Sequence, residues 1–144
     1  MIKQVLQAVQ DELSKIKSLR HIGEDWGQLY FDNPGVQFPC ALIDVDGFNF
    51  EDVSTFAQRA RGEIYITIAD QRLNNISANA PNSMQDRAFE FIDMLVVVQK
   101  AINQLEVEGC DPLVRKSIKR IRRAGSTSRE YRITFGTEFR DEWE

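Results

Sequence analysis

The chain has 144 residues, which suits a single domain able to bury roughly two-thirds of its unfolded surface without disulfides or a metal. Apolar residues make up 42% and charged residues 28%, ordinary globular values that exclude a disordered or fibrous chain. The net charge of −4 argues against a general nucleic-acid binder, which carries a basic excess.

The N-terminal segment reads as an amphipathic helix. Ile2, Val5, Leu6, Val9, Leu13 and Ile16 recur at helical spacing, and the helix is expected to end near Ser18. Lys3, Asp11 and Glu12 interrupt it, so it is not read as a signal peptide. The longest apolar stretch, Met94 to Val98, is far too short to span a bilayer as a helix, and a cytoplasmic fold is expected. Residues 20–37 are rich in turn formers and enclose Gln28-Leu29-Tyr30-Phe31, a possible short strand. Asp32-Asn33-Pro34-Gly35 is a turn signal, because Pro presets one dihedral and Gly permits a positive one.

Pro39 to Asp46 reads as a strand with its proline at the start, where a missing donor is tolerated. Gly47 is expected to break it, and Phe48 to Val53 then alternates as a separate half-buried strand. Gly62 to Asp70 is the clearest strand, with Ile64, Ile66 and Ile68 on one face and Glu63, Tyr65 and Thr67 on the other. Residues 71–83 are polar and Asn-rich, with Asn74, Asn75, Asn79 and Pro81, and form the candidate mobile loop.

A long helix follows, with Ser83 as its cap and Asp86 three residues later in a capping-box position. Ala88, Phe91, Ile92, Leu95, Val98, Ile102 and Leu105 form one stripe, and Phe89, Met94, Val97 and Ala101 widen it beyond a single face. A helix this apolar needs cover on two sides. Gly109 ends the helical region, and Asp111-Pro112 marks a turn. The basic segment from Arg115 to Arg123 and the alternating strand Arg129 to Phe135 flank the turn 125–128 and are expected to pair as an antiparallel hairpin. The fold class is therefore α+β: an antiparallel or mixed sheet of four to six strands, with the N-terminal helix and the long helix packed on one face.

Chemistry is sparse. The single histidine, His21, stands beside no Ser or Cys motif, so no nucleophile–base pair is visible. Cys40 and Cys110 form no short-spaced pair and read as reduced thiols; with one His they match no zinc spacing. Asp44-Val45-Asp46-Gly47 fails as a calcium loop, since the glycine falls too early and Thr55 stands where a bidentate Glu is required. No glycine-rich phosphate cradle occurs, and no cofactor is expected. The reading is a non-enzyme.

Arg115, Lys116, Lys119, Arg120, Arg122 and Arg123 form the one charged cluster of note, opposite in sign to Glu138, Asp141, Glu142 and Glu144 at the end of the chain. In a regular strand, Lys116, Arg120 and Arg122 share a face with Ile118, and Arg115, Lys119 and Arg123 share one with Ile121. Three readings stay open: a solvated edge strand whose charges deter wrong pairing, a salt-bridged contact with an acidic surface on a neighbouring copy, and a nucleic-acid contact without stacking aromatics.

The layout resembles the tail terminator, or tail completion, proteins of long-tailed bacteriophages. The likeness rests on the amphipathic N-terminal helix, the strand entered through Phe38-Pro39-Cys40-Ala41-Leu42-Ile43, and the central strand Glu63-Ile64-Tyr65-Ile66-Thr67-Ile68 before a polar loop. It continues in the long helix Arg87 to Leu105 and a terminal hairpin closed by Tyr131-Arg132-Ile133-Thr134-Phe135, so it spans nearly the whole chain. The resemblance implies a virion protein that forms a ring with itself, usually a hexamer, on the end of the tail tube. The implied partners are the tail tube protein and a head–tail connector or neck protein, with neither a membrane nor nucleic acid. It implies assembly in the host cytoplasm and no catalytic residues. In that setting Arg115, Lys116, Lys119, Arg120, Arg122 and Arg123 would meet Glu138, Asp141 and Glu142 of a neighbour, and the loop 71–83 would order on contact with tube or neck. The alternative is a small nucleic-acid-binding module using the basic segment 115–123.

Overall fold

The computed structural model describes residues 1–31, 34–71, 79, 81–124 and 128–143, with the Met84 side chain left aside. The elements run α1 (Ile2–Leu13), β1 (His21–Glu24), a short 3-10 turn (Gln28–Tyr30), β2 (Cys40–Ser54), β3 (Ala57–Gln71), α2 (Asn82–Ile102), β4 (Val114–Ile121) and β5 (Ser128–Glu142). The strands form one five-stranded sheet in the order β1-β2-β3-β5-β4. β1 is parallel to β2, and every other pair is antiparallel, so the sheet is mixed.

The period-2 pattern of β3 decides which face the helices cover. Ile64, Ile66 and Ile68 lie on that face with Ala41 and Ile43 of β2 and Ile133 and Phe135 of β5. Val5, Val9 and Leu13 of α1 and Phe91, Leu95, Val98 and Ile102 of α2 close over them, each nearly or wholly buried. Removing this much apolar surface from water is the main stabilising contribution. A smaller cluster, Leu29, Cys40, Leu42 and Ala69, sits on the other face beneath Val36 and Phe38.

Several elements differ from their sequence reading. α1 stops at Leu13 rather than near Ser18; Ile16 and Leu19 still reach the core from the following turns. His21–Glu24, inside the turn-rich segment, is a short strand because its backbone pairs alongside Cys40–Ile43. Gln28–Phe31 is not a strand: Gly27, at φ +89°, turns the chain into a 3-10 turn. Gly47 does not break β2. One extra residue at Val45/Gly47 forms a bulge, and the strand runs on to Ser54.

α2 starts at Asn82 with Pro81 in the capping position, so Ser83 is already inside the first turn and makes no cap. The helix ends at Ile102, not at Leu105 or Gly109. Asn103 is extended, its side-chain carbonyl accepts the Arg115 N–H at 2.9 Å, and Gln104 turns at φ +67°. Within the candidate loop 71–83, Gln71 ends β3 and Asn79 is exposed in a turn, while Asn74 and Asn75 lie outside the described residues.

Candidate functional site and assembly surfaces

The basic segment forms β4, an edge strand whose residues are largely open to water. A bulge between Arg115 and Ser117 changes the expected facing. Arg115, Ile118 and Arg120 pair with Phe135, Ile133 and Tyr131, which places them on the α2 side. Arg115 Nη1 donates to Gln99 Oε1 of α2 at 2.9 Å. Lys116 is the extra residue, and its stem runs so close over Gly136 that an added Cβ there would meet Lys116 Cε at 2.5 Å. Ser117 and Lys119 pair with Thr134 and Arg132 on the outer face.

The six cations therefore do not act as one patch. Arg123 is committed within its own chain: its Nε donates to both carboxylate oxygens of Glu130 at 3.0 Å. Its guanidinium also lies 3.8 Å from the Tyr30 ring centre, and Ser128 Oγ donates to Glu130 Oε2 at 3.1 Å. Burial works against the Arg123 charge, but the hydrogen bond and field of Glu130 outweigh it and hold its pKa above the ordinary arginine value. Arg122 lies beyond the strand and is exposed.

The acidic end of the chain lies elsewhere. β5 continues past β4, and Glu138, Asp141 and Glu142 pair with β3 opposite Arg61, Gln58 and Ala57. Glu138 receives Arg61 Nε at 2.9 Å, and Glu142 pairs with Arg140. Within one copy, Lys116 and Glu138 line one groove, whereas Asp141 and Glu142 lie beyond the end of β4.

Sequence reasoning missed the element that joins these residues. β2, β3 and the end of β5 project as a three-stranded tongue, on which residues 49–56 are all exposed. Phe48, Phe50 and Phe139 stack edge-to-face on one side, with centroids 5.0 and 6.3 Å apart. The next row on that side is Asp52, Gln58 and Asp141, where Gln58 Nε2 donates to Asp52 Oδ1 at 2.8 Å. Arg59, Arg61 and Arg140 all point to the opposite side. The aromatic side thus carries acidic charge alone. At the tip, the Trp143 N–H donates to the Phe56 carbonyl at 2.8 Å, and about half of each of these side chains is open to water. Alternation of Phe48, Phe50 and Phe139 with polar residues was the available signal.

α2 leaves a second apolar surface uncovered. Phe89, Val96 and Val97 are each about half exposed on the side away from the sheet. On β4, next to the Arg115–Gln99 tie, Ile118 is also exposed.

His21 and Cys40 are register partners in β1 and β2, but burial pushes the Cys40 thiol up to about 12, the opposite of an activated nucleophile. A groove of about 510 Å³ is lined by Asp46, Glu63, Asp111 and Glu138 with Arg61 and Lys116, a mixed set partly tied up in the Arg61–Glu138 pair. Among the described residues, no three His, Cys, Asp or Glu side chains cluster as a metal site. Among them too, no helix is long and apolar enough to cross a membrane.

No family model and no curated protein sequence matches the chain. Its fold is similar to that of a chain in the virion of a native gene transfer agent particle, with a TM-score of 0.56 over 96% of both chains and 11% identity. At that identity the likeness is one of fold, and it extends over 96% of each chain.

Proposed function

We propose that this chain is a structural protein of a phage-like virion, acting as a tail terminator: a ring of copies that caps the tail tube and contributes the surface for head–tail joining. The supporting observation is the end-to-end fold likeness to a chain of a virion particle, over 96% of each chain. The exposed aromatic tongue and the uncovered side of α2 fit a protein that completes its burial by assembly. Charge segregated into a basic edge and an acidic tip fits contact between copies, because opposite patches steer and orient association. The reading includes no catalysis and no cofactor.

The test is tube assembly. Tail tube protein of the same particle is polymerised with and without this chain and imaged by electron microscopy. The expected result is shorter tubes, each ending in a ring of this protein. Tubes of unchanged length with bare ends overturn the reading. Salt-sensitive binding of oligonucleotides in the same buffers, with no tube binding, would favour a nucleic-acid role for the basic strand instead.

A further inference from the structure

We infer that the aromatic side of the β2–β3–β5 tongue docks on the seam between α2 and β4 of a second copy of this chain. The inference rests on the ring reading above and specifies which surfaces make the ring.

The tongue is a sheet with one apolar side and no layer over it. Phe48, Phe50 and Phe139 cover the buried Ala60 on that side, yet Phe50 itself remains 51% exposed. The same chain exposes apolar side chains near the Arg115–Gln99 tie: Val96, three residues before Gln99 on α2, and Ile118, on the same face of β4 as Arg115. Charge selects between possible occupants. The ionisable groups in the tongue's aromatic rows are Asp52 and Asp141, whereas the α2 side of β4 carries Arg115 and Arg120, and the exposed Asp93 and Lys100 that neighbour Val96 on α2 offset each other. An acidic aromatic surface thus has a basic aliphatic counterpart on an identical molecule. Two tongues would instead repel each other through these carboxylates.

The tongue lies at one end of the sheet and β4 at its edge, so the two surfaces do not coincide. One copy can then hold one neighbour by its tongue and another by its β4 edge, and such a head-to-tail contact closes into a ring when its rotation allows. One contact type then uses both the aromatic tip and the basic edge. Arg115 hydrogen-bonds the neutral Gln99 rather than a carboxylate, whereas Arg123 is sequestered by Glu130.

The test is cross-linking between two variants in a Cys110→Ser background, since Cys40 is fully buried. One carries Gln58→Cys on the tongue and the other Val96→Cys on α2. They are mixed with a short bismaleimide, free in solution at high concentration and on tube ends. The expected result is a cross-linked dimer in the mixture, well above either variant alone and above a control pair using Lys17→Cys. Adding Asp141→Arg to the tongue variant should cut the yield by about tenfold, and adding Arg120→Glu to its partner should restore it. Rings present without the Gln58–Val96 cross-link overturn this contact and leave the ring reading standing. No ring and no cross-link under any condition overturn both. A cross-link insensitive to the charge swap overturns the charge pairing on which the assignment rests.

Discussion

Arg123 meets Glu130 across the loop between β4 and β5, one nitrogen donating to both carboxylate oxygens at 3.0 Å. The two ends of this pair are not equal. The Glu130 side chain is 1% exposed and that of Arg123 11%. Arg123→Ala leaves the buried Glu130 carboxylate the Ser128 hydroxyl but no counter-charge, and is expected to cost about 3 kcal/mol. Glu130→Ala leaves a guanidinium near the surface that still has the Tyr30 ring beneath it, and should cost about 1.5 kcal/mol. Urea unfolding of both variants checks the order. Equal losses would show that Glu130 is less isolated than its burial implies.

Gly62 and Gly136 both lack space for a methyl group, for different reasons. A Cβ on Gly62 would lie 2.5 Å from the Gly47 carbonyl oxygen and 2.5 Å from the Phe48 ring, neither of which can yield without moving backbone or the aromatic stack. Gly62→Ala is therefore expected to cost about 2 kcal/mol and to weaken the near-UV circular dichroism of the tongue. At Gly136 the obstacle is the far end of the Lys116 side chain, which can swing into solvent, so Gly136→Ala should cost less than about 1 kcal/mol. Comparable losses for the two substitutions would count against the packing of Phe48 over Gly62.

What could be read from the residues divides along local and non-local lines. Ile64, Ile66 and Ile68 announced β3 because period-2 alternation is a property of consecutive residues, and the α2 stripe followed in the same way. The ends were not legible. Leu105 and Val107 keep contributing to the core from the turns after Ile102, so apolar spacing continued where the helix did not. The bulges at Val45/Gly47 and Arg115/Ser117 were invisible, since an extra residue exists only relative to a partner strand. Missing them turned β2 into two strands at Gly47 and put Arg115 on the wrong face of β4. The resemblance implied an assembly role, but the tongue proposed as its surface depends on β5 returning from far along the chain to lie beside the β2–β3 hairpin.

Asp44 links stability to pH. Burial raises its pKa above the ordinary 3.8, and the neighbouring carboxylates of Asp46 and Asp25 raise it further, with Arg132 opposing them. A folded-state pKa above the unfolded value means the native fold prefers the protonated acid. The contribution is stabilising below the unfolded pKa and is lost as pH rises through the folded one. Asp44→Asn should therefore raise the melting temperature at pH 7 by a few degrees. The advantage should shrink as pH falls toward 3.8, as the wild-type side chain takes up its proton. Thermal melts of both proteins from pH 7 downward test this. An advantage that grows on acidification would reverse the sign and refute the burial argument.

The two thiols differ in reactivity for a reason independent of assembly. Both cysteines are free; Cys40 is wholly buried beneath Leu29 and Leu42, and Cys110 is partly exposed with its Sγ 3.6 Å from the Val107 carbonyl. With the Cys40 pKa pushed up to about 12 by burial, its thiolate fraction at pH 8 is about one in ten thousand, before limited access is considered. Native protein should react with Ellman's reagent at one thiol on a time scale of minutes, and a Cys110→Ser variant should show none. Both thiols should respond once urea unfolds the chain. Because the Cys40 environment lies in the small cluster under Val36 and Phe38, its protection reports the closure of that cover rather than of the main core. Rapid labelling of Cys40 in the Cys110→Ser protein, at a urea concentration that leaves the far-UV signal native, would therefore mean that the segment carrying Val36 and Phe38 opens separately from the rest of the sheet.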